Sequence, residues 1–292
     1  MGIYADLHSH SDFSDGAFTP AEVMQQAAAA GISVMCLSDH DSVRGLDEAE
    51  DAAHAAGIRM CPGVEISAGD EADKERFDLH ILGLFIDRTS PALNEFLDYQ
   101  ADQRRGQKAG QIRRLQELGF RIDEEDVFEG LRGSPGKPHI VAALLRRNPE
   151  MNLVEDDLYR DYLTSGGKAH VDRADEPTAE DCIEAIHAAG GVAMVAHPLY
   201  YQRKTQDLFG MIRGLVDAGL DGVEVDCPYE LTNAFGVGRD RADLVREIDA
   251  FTTSLGLLRS GGSDFHGMGK GGPIGSAGMD KAGFEALQAS GA

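Results

Sequence analysis

The stretch Ile32-Ser33-Val34-Met35-Cys36-Leu37-Ser38-Asp39-His40-Asp41 sets a short apolar run directly before an acid–imidazole–acid triplet. Such a run reads as a strand buried on both faces, as found where helices cover a sheet. Its surroundings agree. Upstream, Thr19-Pro20-Ala21-Glu22 is a capping box with proline at the first helical position, and the alanine-rich helix it opens stops at Gly31. Downstream, a helix over about 45–56 stops at Gly57.

Outward from this unit the pattern repeats. Further strands are expected at 4–8, 59–64, 78–85, 192–196, 222–225 and 257–260, with helices over 178–189, 207–218 and 239–255. Short buried runs between helices imply an α/β protein with a parallel sheet, and 292 residues favour closure of its seven strands into a barrel. Residues 90–163 interrupt the alternation with helices and loops. The expected organisation is therefore a barrel over 1–97, a mainly helical insertion over 98–173 that caps the substrate, and the rest of the barrel over 174–292.

Charge narrows the function. The chain carries 27 Lys+Arg against 50 Asp+Glu, a net −23. That field repels polyanions and argues against long duplex nucleic acid or an anionic membrane as partner. The exception is 98–173, with 13 basic against 14 acidic residues, while the remainder has 14 against 36. No run approaches the roughly 20 apolar residues of a membrane span, and no signal peptide opens the chain, so a cytoplasmic location is expected. Cys36, Cys61, Cys182 and Cys227 lie far apart without CxxC spacing and read as free thiols, most of them buried. No obligate protein partner is implied.

The chemistry gathers at the strand ends. Asp6-Leu7-His8-Ser9-His10 ends strand 1, with Asp15 five residues on; Asp39-His40 follows strand 2 and Glu65 ends strand 3. His80 lies in strand 4, Ala196-His197-Pro198 ends strand 5, Glu224 and Asp226 end strand 6, and Ser263-Asp264-Phe265-His266 follows strand 7. In a barrel these ends share one rim. In extended chain, residues i and i+2 point the same way, so His8 with His10, and Asp264 with His266, can grip one ion. A single such histidine is ordinarily a hydrogen-bonded core or surface group, and His54 and His187 are read so, while His139 and His170 are assigned to no metal. Six histidines with Asp15, Glu65 and Asp264 on one rim exceed the ligands of one ion and imply two or three metals. The mixed imidazole and carboxylate donors suit Zn²⁺, Mn²⁺ or Fe²⁺ better than Mg²⁺ or Ca²⁺.

The ordered set DxHxH, Asp-His, Glu, His, His-Pro and Ser-Asp-x-His resembles the polymerase-and-histidinol-phosphatase (PHP) family of metal-dependent phosphoesterases, over about 3–86 and 175–276. The resemblance implies a distorted (β/α)7 barrel. It implies a first metal on His8, His10, Glu65 and Asp264, a second on Glu65, His80 and His197, and a third on Asp15, His40 and His266. Asp15 stands where some relatives have histidine, which softens that site toward Mn²⁺. Glu65, His197, Asp264 and His266 are the candidate catalytic residues, serving hydrolysis by a hydroxide shared between two ions.

The insertion, with Gly136-Lys137-Pro138-His139 and Gly167-Lys168-Ala169-His170-Val171, is similar to the branch that removes the 3′-phosphate of nucleoside 3′,5′-bisphosphates and trims short RNA from the 5′ end. Candidate substrate contacts are Ser134, Lys137, His139, Lys168 and Arg173 in the insertion, and Asn233 and Arg239 after strand 6. Arg104, Arg105, Arg113 and Arg114 read as a solvated helix face. Rival readings are a PHP phosphatase for another small monoester such as histidinol phosphate, an amidohydrolase sharing HxH, and an inactive PHP module.

Overall fold

A computed structural model describes residues 2–74, 76–203, 205, 207–229, 240–267 and 270–291. Seven strands form one nearly closed, barrel-shaped sheet in the order β1 (Ala5–Asp6), β2 (Val34–Leu37), β3 (Arg59–Ser67), β4 (His80–Leu84), β5 (Val192–Val195), β6 (Gly222–Asp226) and β7 (Leu258–Gly261). The gap between β7 and β1 is bridged beyond the strand ends, where Leu7 N–H donates to Gly261 O (3.1 Å) and His10 N–H to Phe265 O (2.8 Å). Gly262 permits this approach, because a Cβ there would lie 2.4 Å from His8 N.

The helices begin and end where local chemistry dictates. In α1 (Pro20–Ala29) Thr19 and Glu22 exchange both capping-box bonds, and α2 (Leu46–Ala56) ends on Gly57 at φ +72°. Alternate strand residues explain the unbroken apolar runs. Val34, Cys36, Leu82, Leu84, Val192 and Met194 pack together in one cluster, while Met35, Leu37, Ile81 and Val195 pack with the helices. All four cysteines are buried and unbridged.

The sheet is not wholly parallel, contrary to the sequence expectation. β4 runs antiparallel to both β3 and β5. Among the described residues of 68–79 there is only a single 3-10 turn, Ala72–Lys74, and no helix to carry the chain across the sheet, so it folds back as a hairpin. The reversal decides where His80 lies. As the first residue of an inverted strand, it reaches the rim formed by the C-terminal ends of the other strands, opposite Ser67. Its side is shared with Leu82 and Leu84, pointing into the barrel.

Between β4 and β5 come α3 (Pro91–Glu117), α4 (Glu124–Phe128), α5 (Lys137–Arg147), α6 (Glu155–Leu158) and a π-helical turn, Tyr159–Leu163. These helices bury a second apolar cluster, including Ile112, Leu115, Phe120, Ile140, Leu144 and Leu163. α3 spans both cores, with Leu93 and Leu97 in the barrel cluster and Ile112 and Leu115 in the second. The chain re-enters the barrel through α7 (Ala179–Ala188) and finishes with α8 (Leu208–Val216), α9 (Arg241–Ser254) and α10 (Lys281–Ser290). Among the described residues no helix is long and apolar enough to cross a membrane.

Candidate metal centre

Glu65 is the hub of the rim. Fully buried at the end of β3, its Oε1 lies 2.8 Å from His197 Nε2 and 2.9 Å from His80 Nδ1. Its Oε2 lies 3.3 Å from both His8 Nε2 and His10 Nε2, and 3.0 Å from His40 Nδ1. Asp264 Oδ1 closes on the same pair, 3.6 Å from His8 Nε2 and 3.2 Å from His10 Nε2. Asp15 Oδ1 lies 3.2 Å from His266 Nε2 and 3.8 Å from His40 Nε2. All nine expected ligands thus converge. Four groups have their ligand atoms within 4.8 Å of one another: His8/His10/Asp264, His8/Glu65/His197, His40/Glu65/His80 and His10/Asp15/His40/His266.

The donor atoms themselves argue for cations. His8 Nε2, both nitrogens of His10, Asp15 Oδ1, His40 Nδ1, Glu65 Oε2 and His266 Nε2 are buried without a hydrogen-bond partner among the described residues. Buried polar atoms are ordinarily paired, and six of these seven, all but His10 Nδ1, lie within 4 Å of another orphan, which fits a shared set of metal ions. The charges respond to this crowding. Burial opposes ionisation of Glu65, but His40, His8 and His80 hold its carboxyl well below the usual range. Asp15 is likewise held low against burial by His40 and His266. Burial disfavours charge on His10, yet Asp264 and Glu65 push it up to about 9. Burial wins at His40 and His266, which shift down.

Backbone geometry aims several of these groups. His197, at φ +30°, and Asp264, at φ +50°, hold a left-handed conformation that non-glycine residues seldom adopt, at a cost of roughly 1–3 kcal/mol each. Asp41, at φ +50°, accepts from Ser67 N–H (3.0 Å) and ties the segment after β2 to the end of β3. Asp39 accepts from Ser11 N–H (2.7 Å), Ser11 Oγ (2.6 Å) and Ser14 Oγ (2.6 Å), which shapes the loop carrying Asp15.

At the rim itself Glu224 escaped the sequence assignment. Glu224, fully buried, accepts from His8 Nδ1 (3.0 and 3.2 Å) and from His197 N–H (2.6 Å). By holding the proton on Nδ1 it leaves the His8 Nε2 lone pair for a metal. Its place at the end of β6 was visible, but only the structure shows what it touches.

The expected substrate contacts divide. Ser134 is buried, its Oγ without a hydrogen-bond partner among the described residues, and it lines a cavity of about 40 Å³ together with Asp41. His139 accepts from Gly136 N–H (2.9 Å) and lies near Ser14 and Asp15; burial lowers its pKa. Lys137 and Arg173 both interact with Lys108, a buried residue of α3 that sequence reasoning passed over. The Lys168 ammonium lies 5.1 Å from the centre of the Tyr162 ring. Asn233 and Arg239 lie outside the described residues.

The solvated reading of the α3 arginines fails for Arg104. Its side chain is only 16% exposed, and Nη2 lies 2.5 Å from Asp41 Oδ2, beside the metal-ligand candidate His40. Arg105 lies over Phe128, 4.2 Å from the ring centre. Arg114 donates to His170 O and Arg113 faces Glu124 at 3.8 Å, and these two, like Arg105, stay exposed as the sequence reading has them.

Comparison with known proteins agrees with this geometry. A family model described as PHP domain matches residues 6–162. A 5′-3′ exoribonuclease of Haemophilus influenzae is 34% identical over 271 residues, covering 89% of each chain. A phosphoribosyl 1,2-cyclic phosphate 1,2-diphosphodiesterase of Eggerthella lenta is 31% identical, over 90% of this chain and 94% of its own. A 3′,5′-nucleoside bisphosphate phosphatase of Chromobacterium violaceum is 32% identical, over 91% of this chain and 88% of its own. A solved structure from Bifidobacterium adolescentis, described as that of a metal-dependent phosphoesterase, superposes with a TM-score of 0.82 at 27% identity, covering 99% of this chain and 96% of that one.

Proposed function

This chain belongs to the PHP domain family and is a metal-dependent phosphoesterase, and on that premise we propose that it removes the 3′-phosphate of nucleoside 3′,5′-bisphosphates to leave 5′-nucleotides, and trims short RNA from its 5′ end. The observation that carries the reading is a second anion-friendly region beside the metal rim. Ser134 and Arg173 of the insertion, together with Arg104, gather next to Asp41, one residue from His40, and Lys137 and Arg173 act on the neighbouring buried Lys108. A simple monoester needs one phosphate site, whereas a bisphosphate needs two.

In this reading His8, His10, Glu65 and Asp264 hold one ion, Glu65, His80 and His197 a second, and Asp15, His40 and His266 a third, with Mn²⁺ the proposed metal. When bound, such ions lower the pKa of water from about 15.7 to about 7 and neutralise phosphoryl oxygens. The side chains do the rest. Glu65 shares its carboxylate between the two halves of the rim, while Glu224 keeps His8 in the ligating tautomer. The Tyr201 hydroxyl, 3.2 Å from His197 Nδ1, orients that ring, and Lys270 pairs with Asp15. Ser134, Lys137, His139, Lys168 and Arg173 are the proposed contacts to the non-scissile phosphate and sugar, fixing the 3′-phosphate at the rim.

The test is phosphate release by Mn²⁺-loaded protein from adenosine 3′,5′-bisphosphate beside histidinol phosphate, 5′-AMP and phosphoribosyl 1,2-cyclic phosphate. Selective release from the bisphosphate, abolished in His197→Ala, is expected. Faster turnover of histidinol phosphate or of the cyclic ester would overturn the bisphosphate assignment and leave the phosphoesterase centre standing.

A further inference from the structure

The three sets of metal-ligand candidates differ in what stands behind them. Behind His8 stands a carboxylate, because Glu224 Oε1 lies 3.0 Å from its Nδ1, and the groups in front of it, Glu65 and Asp264, are two more. Behind Asp15 stands a cation. Its Oδ1 faces His266 Nε2 (3.2 Å) and His40 Nε2 (3.8 Å), while its Oδ2 is paired with the Lys270 ammonium. Ligating imidazoles are neutral, so Asp15 and Lys270 cancel, and the third set by itself offers a divalent ion no net negative charge. The Asp15 side chain is only 8% exposed, so solvent and salt screen this pairing weakly.

The backbone that carries the lysine is fixed to the rim. Lys270 N–H donates to Gly267 O (3.1 Å), and Gly272 N–H donates to Ser263 O (2.7 Å), next to the ligand candidate Asp264. Between them Gly271, at φ +69°, lies so close to the same segment that a Cβ would fall 1.7 Å from Asp264 O. The Lys270 side chain itself is 53% exposed and keeps the freedom to change partner. Asp15 and Lys270 both act on His139 of the insertion, which puts the ammonium near an expected substrate contact as well as near the third ligand set.

We propose that Lys270 is a positioning residue that makes the third metal site conditional on a bound phosphate. In the free protein its ammonium competes with a divalent ion for Asp15. A phosphate dianion at the rim supplies the negative charge that the third set lacks, and it gives the ammonium a second partner. Lys270 thereby couples the two ligands: each binds more tightly in the presence of the other, by the same factor. The proposal rests on the three-site ligand assignment above and not on the bisphosphate, since any phosphomonoester brings the same charge.

The experiment titrates the protein with Mn²⁺, counting the free ion by electron paramagnetic resonance, with and without inorganic phosphate. Asp15→Asn identifies the third ion as the one it loses. In wild type the third ion is expected to bind about tenfold more tightly with phosphate than without it. Lys270→Met is expected to bind that ion about tenfold more tightly than wild type when phosphate is absent, so that phosphate adds less than it does in wild type. Lys270→Arg, which keeps the charge, should follow wild type. A damaged loop would weaken the site, so a gain in affinity separates the electrostatic role from a merely structural one. Third-ion affinity that is unchanged or weaker in Lys270→Met, an equal gain from phosphate in that variant, or wild-type binding indifferent to phosphate overturns the proposal. An Asp15→Asn protein that still binds three ions overturns the ligand assignment beneath it instead.

Discussion

Replacing Glu224 by Gln tests whether the rim depends on a proton held in the right place. The carboxylate accepts two donors at once: His197 N–H at Oε2 (2.6 Å) and His8 Nδ1 at Oε1 (3.0 Å). Glutamine keeps the shape but has one acceptor oxygen. The backbone N–H cannot turn away, so the amide oxygen must face His197 and the NH2 group must face His8. Two donors then meet at about 3 Å. The His8 proton is driven to Nε2, the nitrogen that points at Glu65 (3.3 Å) and Asp264 (3.6 Å) and is needed by the metal. Loss of such a supporting bond typically weakens metal binding 10- to 100-fold, or about 1.4–2.7 kcal/mol. Free Mn²⁺ followed by electron paramagnetic resonance during a titration measures it directly. Weaker binding at the His8 site, with the Asp15/His40/His266 site unchanged and activity recovered at high Mn²⁺, is expected. Unaltered affinity at every site would refute the tautomer argument.

Two other perturbations probe the packing and the buried charge. A Cβ on Gly133 would fall 1.6 Å from Phe13 O, so Gly133→Ala must separate the insertion from the loop that carries Asp15; urea unfolding should show a loss of about 3 kcal/mol, with weakened third-site metal binding, and unchanged stability would contradict the packing. Lys108 has its pKa lowered to about 6 from about 10.4 in the unfolded chain, so between these values the unfolded state holds the extra proton and stability rises with pH. The advantage of Lys108→Met over wild type should therefore shrink by about 1.4 kcal/mol per pH unit from pH 7 to 9, and a constant difference would show that the lysine is not buried as described.

Much of the rim was legible because strand ends fix direction. His8 and His10 share a spacing of two, and His40, Glu65, His197 and Asp264 each follow an apolar run, so a barrel gathers them without further information. The direction of β4 was not legible from its own residues, since alternation is the same either way along a strand. The clue lay in the stretch before it, Gly69-Asp70-Glu71-Ala72-Asp73-Lys74, too short and too polar for a crossover helix. Arg104 and Lys108 were misjudged or missed for a different reason. A basic residue on a long helix is usually solvated, and only the packing of α3 against two cores at once shows that these two are inside. Glu224 stood in view at a strand end, but its role depends on a contact across 216 residues.

The central claim is that these nine side chains form one cluster of metal sites around Glu65. Crystals grown with Mn²⁺ and measured at the manganese absorption edge test it most directly. Three anomalous peaks are predicted on the rim, two of them sharing Glu65 and the third between Asp15, His40 and His266. Peaks elsewhere, or a single ion that leaves Glu65 unligated, would contradict the account.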